Sequence, residues 1–94
     1  MVGGFILKIK DGFVLREVMG NYVVVAIGEA SRNFRGMIKL NATAADIWNC
    51  ISRGMDEAGI YDALFDKYEV DGEVLRADIR STVETLRANG LLEE

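Results

Sequence analysis

The chain of 94 residues has no histidine and no proline, a single cysteine and a single tryptophan. Without histidine there is no imidazole general base, no Ser-His or Cys-His nucleophile pair and no zinc site of the usual His/Cys kind. Most hydrolytic chemistry is thereby excluded. The lone Cys50 cannot form an internal disulfide, which agrees with a reducing compartment. No apolar run approaches the ~20 residues that span a bilayer, and the start MVGGFILKIK lacks the parts of a signal peptide. A cytoplasmic location is therefore expected. Basic residues are outnumbered 11 to 15, so the net charge is −4. That field does not suit a phosphate backbone. No GxxxxGK[ST] or GxGxxG motif occurs, and the isolated Gly3-Gly4 pair makes no phosphate loop. Carboxylates are plentiful, but nothing marks a matched acid and base, so no catalytic, cofactor or metal residue is expected.

What is present is ordinary globular composition, half of it hydrophobic, in a length that suits one domain over residues 1–94. The hydrophobic period changes once along the chain, from two to near 3.6. Residues 13–28, FVLREVMGNYVVVAIG, hold β-branched and aromatic runs on either side of Gly20-Asn21. They predict a hairpin of about Phe13–Met19 and Tyr22–Ile27. The earlier FILKIK partly alternates, and Asp11-Gly12 is a favoured turn pair, so the pattern leaves room for another strand ahead of the hairpin. A polar segment, GEASRNFRG, leads to a strand at about Met37–Leu40.

From Asn41 onward the pattern is helical. Asn41 is a cap for a first helix of about Ala42–Arg53, with Ala44, Ile47, Trp48, Ile51 and Met55 on one stripe and Gly54 as its stop. Asp56 caps a second helix carrying Ile60, Leu64, Phe65 and Tyr68, which Gly59 weakens by roughly 1 kcal/mol relative to alanine. Asp71 caps a third, with Leu75, Ile79, Val83 and Leu86 on one face. Gly90 stands where a left-handed C′ residue belongs, and Leu91 is placed to reach Leu86. The expected class is α+β, a small antiparallel sheet of three strands followed by three α-helices. Trp48 and Cys50 read as core residues, and the acidic second helix, with Asp62 and Asp66, reads as a solvated face or a surface for a partner.

The segments GFVLREVMGNYVVV, GMIKLNATAADIW and YEVD, with a last helix ending LRANGLL, resemble the PqqD family, the small proteins of pyrroloquinoline quinone biosynthesis and their relatives in other peptide-maturation pathways. The likeness spans about residues 11 to 92. Its most specific part is Leu40-Asn41-x-Thr43-Ala44-Ala45-x-Ile47-Trp48 with the spacing to Gly90-Leu91-Leu92. Two departures lie outside the expected binding surface: many members have proline where Ala26 stands, and a hydroxyl or charged residue at Gly59. The resemblance implies a winged-helix-like domain with no catalytic activity. Such a domain binds the leader of a ribosomally made precursor peptide and presents it to a modifying enzyme, often a radical S-adenosylmethionine enzyme.

The residues themselves suggest how. A last strand in a meander has a free side, and here blunting is light, since Lys39 is the only charge within Met37–Leu40 and no proline interrupts it. An extended peptide can add to such an edge by main-chain hydrogen bonds. With residues placed 100° apart, Arg76, Arg80 and Arg87 form a stripe bordering Ile79 and Val83. Arg32, Arg35 and Lys39 lie in or just before the strand. If strand and helix face each other, six of the 11 cations rim one groove, which would suit an acidic, partly apolar leader. The expected peptide-binding residues are Met37, Ile38, Lys39 and Leu40 of the strand with Arg76, Ile79, Arg80, Val83 and Arg87 of the last helix. The same arginines also read as a solvated helix face with Glu73, Asp78 and Glu84 as ordinary partners. A winged-helix nucleic-acid binder is the alternative, opposed by seven acids against two bases over residues 41–71. A homodimer through the open edge or an exchanged N-terminal segment is a further expectation.

Overall fold

The computed structural model describes residues 7–34 and 36–93 of the chain. Its sheet has three antiparallel strands in the order β1-β2-β3. The hairpin joins β1 (Phe13–Val18) to β2 (Asn21–Ala26), with Phe13 opposite Ala26 and Val18 opposite Asn21. Its two central residues are Met19 and Gly20, at φ 52° and 82°, the sign pattern of a type I′ turn, whose twist matches that of the strands it joins. The turn therefore falls one residue earlier than Gly20-Asn21. Strand β3 (Met37–Leu40) pairs with β2 in the register Val25 to Met37 and Tyr22 to Leu40.

The polar segment before β3 is not plain loop. Ala30–Asn33 forms a single helical turn, α1, tied down by Ser31 Oγ donating to the Gly28 carbonyl at 2.6 Å. This turn packs on the start of β1, where the Phe34 ring meets Phe13 edge-on at 5.3 Å. Gly12 is required there. It has φ +93°, and a β-carbon on it would stand 2.6 Å from the Ala30 β-carbon.

The three helices begin at the three expected caps. In α2 (Ala42–Ser52) the Asn41 carboxamide oxygen accepts from the Ala44 amide at 2.7 Å. In α3 (Glu57–Lys67) Asp56 accepts from Gly59 at 2.8 Å, and in α4 (Gly72–Ala88) Asp71 accepts from Glu73 at 2.7 Å. Each such cap is worth about 1 kcal/mol. Gly90, at φ 75°, ends α4 with the paired bonds of a Schellman motif, Leu91 N–H to the Leu86 carbonyl at 2.9 Å and Gly90 N–H to that of Arg87 at 3.0 Å.

The helices and sheet close on one apolar core in which Val24, Ile47, Ile60, Leu75, Leu86 and Leu91 are fully enclosed. Trp48, on the α2 stripe, and Cys50, at its edge, are both buried in it. The expected strand ahead of the hairpin takes a different form: Ile9 makes an isolated bridge with Leu92, not with the sheet. Lys10 N–H donates to the Leu91 carbonyl at 2.8 Å and Glu93 N–H to that of Lys8 at 2.7 Å, so the two ends of the described chain are clasped together. Phe5 and Ile6, part of the same expected strand, lie outside the described residues, as does Arg35.

Candidate functional site: the outer edge of β3 and the flanks of α4

Strand β3 is hydrogen-bonded to β2 on one side, and among the described residues no strand pairs with its other side. Alternation along a strand sends successive side chains to opposite faces. Ile38 and Leu40 accordingly pack on the core, while Met37, 64% exposed, and Lys39 point to solvent. Four residues at ~3.3 Å each offer an edge of roughly 13 Å. Two devices that usually protect an edge, proline and a row of charge, are absent apart from Lys39. An unpaired edge of this kind can accept another extended chain through backbone amides and carbonyls.

Helix α4 presents its stripe Leu75, Ile79, Val83 and Leu86 to the core. Ile79 and Val83 are 2% and 1% exposed, so they offer almost no surface to a guest. Arg76 and Arg80 border this stripe on the flank turned toward α3. The Arg76 guanidinium lies over the Tyr61 ring at 4.6 Å, and Tyr61 in turn stacks on Phe65 at 5.4 Å. Arg76, Ile79 and Arg80 of α4 and Glu57, Tyr61 and Asp62 of α3 line a cleft of about 510 Å³, which has no β3 residue in its lining. Arg87 pairs with Glu84 at 2.7 Å, and Arg32 approaches Glu29 at 3.8 Å. At the C-terminal end of α4, Asn89 and Gly90 share a smaller hollow of about 290 Å³ with Phe13, Ala30 and Phe34, at the end of the sheet where β3 begins.

Tyr61 and Glu57 of this cleft are not among the residues expected from the sequence. Tyr61 has a sequence signal, since it sits four residues before Phe65 and one after the buried Ile60. A second cluster joins α2 to the end of α3, where Asp46 accepts from Lys67 Nζ at 2.9 Å and from the Tyr68 hydroxyl. Partial burial alone would raise the Asp46 carboxyl. Hydrogen bonds from Lys67 and Tyr68 and the positive charge of Lys67 and Arg53 outweigh it, and the group sits below its ordinary 3.8. Burial pushes the Cys50 thiol up, away from the reactive thiolate. No three of His, Cys, Asp and Glu gather as a metal-binding group among the described residues, and no described helix is long and apolar enough to cross a membrane.

Two solved structures share this arrangement. One is TbiB1 in complex with the TbiA(beta) leader peptide, 26% identical, with a TM-score of 0.72 over 92% of this chain and 94% of that one. The other is lasso peptide synthetase B1 complexed with the leader peptide, 22% identical, with a TM-score of 0.74 over 94% and 98%, a likeness of fold. Comparison with curated proteins gives no match. Residues 21–92, which take in the hairpin's second strand, the open edge and all three long helices, match the family of coenzyme PQQ synthesis protein D, and the chain belongs to the PqqD family.

Proposed function

We propose that this protein is a non-catalytic recognition module that captures the leader segment of a ribosomally made precursor peptide and presents it to a modifying enzyme, of the radical S-adenosylmethionine type or another. The observation that carries this reading is the side of β3 left unpaired among the described residues, with Met37 and Lys39 turned outward. The TbiB1 complex, of the same fold and 26% identical, supports it. The leader lies along Met37–Leu40 as a fourth strand, held by main-chain hydrogen bonds that are indifferent to its sequence. Specificity comes from its alternate side chains, one set meeting Met37 and Lys39 and the other turned toward the core face. Binding of this kind orders about four to five leader residues.

Titration of isotopically labelled protein with candidate precursor peptides tests the proposal. The amide resonances of Met37–Leu40 shift on binding, with a dissociation constant in the low micromolar range or tighter. Binding that leaves those four amides unmoved and shifts α2 and α3 alone contradicts it.

A further inference from the structure

The α3–α4 cleft carries both charge signs in separate rows. Arg76 and Arg80 stand on the α4 wall, and Glu57 and Asp62 on the α3 wall. None of the four belongs to an ion pair among the described residues. Between the rows lie Ala58 and Ala77, small enough for close approach, and Tyr61, with Phe65 beside it 45% exposed. Arginine is a good interface cation because its planar fork meets carboxylates in pairs and is weakly hydrated. An apolar centre with charges at its margin is the usual anatomy of a protein interface.

The two helices run in opposite directions along this face. Tyr61 and Phe65 are level with Gly72 at the start of α4, and Glu57 and Ala58 share the cleft with Arg80 further along it. A two-fold axis parallel to the helices and lying in the face therefore superposes α4 of one copy on α3 of the other at matching heights. Arg80 then meets the second copy's Glu57, and Arg76 meets its Asp62, with each contact occurring twice, as an isologous interface demands. Arg76 and Arg80 are about 6 Å apart along the axis and Glu57 and Asp62 about 7.5 Å, spacings that arginine side chains easily bridge.

We infer that the α3–α4 face is a self-complementary docking surface for a second copy of this chain, closing a four-helix contact on the cleft and leaving β3 outside it. The charge rows select this occupant. A purely acidic partner would meet Glu57 and Asp62, and a purely basic one Arg76 and Arg80. The inference stands apart from leader recognition, because no β3 residue lines the cleft.

Sedimentation equilibrium of the full chain tests it, with the double variants Arg76→Glu/Arg80→Glu and Glu57→Arg/Asp62→Arg measured separately and mixed. The wild type dimerises at roughly 100 μM or below, and each double variant alone associates at least about tenfold more weakly. An equimolar mixture of the two recovers a heterodimer, a result that misfolding or a merely structural role for these residues does not give. Circular dichroism confirms that each variant is folded. A monomeric wild type, variants that dimerise unchanged, or a mixture that stays monomeric overturns the inference.

Discussion

Tyr68, at the end of α3, donates its hydroxyl hydrogen to Asp46 on α2, and the neighbouring Lys67 reaches the same carboxylate oxygen at 2.9 Å. Two helices whose caps and stripes are otherwise independent are thus locked at one half-buried point. Asp46→Asn is expected to lower stability by about 1 kcal/mol at neutral pH, the worth of a charge-assisted bond at a partly exposed site. The Asp46 carboxyl sits below its ordinary 3.8 in the folded chain, so its contribution is complete above that value and is lost as pH falls through the lowered one. Urea denaturation of both proteins at pH 7 and at about pH 2 checks this. The gap between them narrows in acid.

The Schellman ending of α4 makes Gly90 and Leu91 sensitive for different reasons. Gly90→Ala forces a β-carbon into φ 75° and should cost about 1 kcal/mol. Leu91→Ala, at a site with no exposure, should cost about 2–5 kcal/mol because it leaves a cavity. Thermal melts that rank the two in the opposite order contradict this account.

Gly12→Ala combines two costs, a left-handed backbone at φ +93° and a β-carbon 2.6 Å from that of Ala30. A loss of about 2 kcal/mol or more is expected, together with displacement of α1. The same substitution at Gly20, where no described residue comes within 4 Å of the added carbon, carries only the backbone penalty. Comparing the two melting points separates strain from collision.

Met37→Asp tests the leader seat. The residue is exposed and its loss leaves the core intact, so the melting temperature should hold. Affinity for a cognate leader should fall by about 1–2 kcal/mol, roughly five- to thirtyfold, through lost apolar contact. Calorimetric titration decides. Equal affinity would mean that the guest chain ignores the outward face of β3.

Much of this architecture is legible in the sequence because its signals are local. Asn41, Asp56 and Asp71 each precede a periodic apolar stripe, and each caps a helix in the structure. Leu91 beyond Gly90 marks the last helix end equally well. Helix α1 escaped notice because four residues hold too little periodicity, and Glu29 makes no side-chain cap bond there. The hairpin turn was displaced by one residue because Met19 occupies a left-handed position that asparagine or glycine normally fills. The cleft shows a different limit. Placing residues 100° apart puts Arg76 and Arg80 correctly beside the apolar stripe of α4, but a helical wheel has no neighbours. Only the packing of α3 against α4 tells which flank they occupy, and Tyr61 beneath Arg76 records it.

The clasp between residues 8–10 and 91–93 has a consequence for handling the molecule. With residues 8–10 and 91–93 held side by side, a short flexible bridge can join these two segments, and new termini can be opened at the Met19-Gly20 bend, where the Met19 side chain is almost wholly in water. Such a circular permutant keeps the β3 rim untouched.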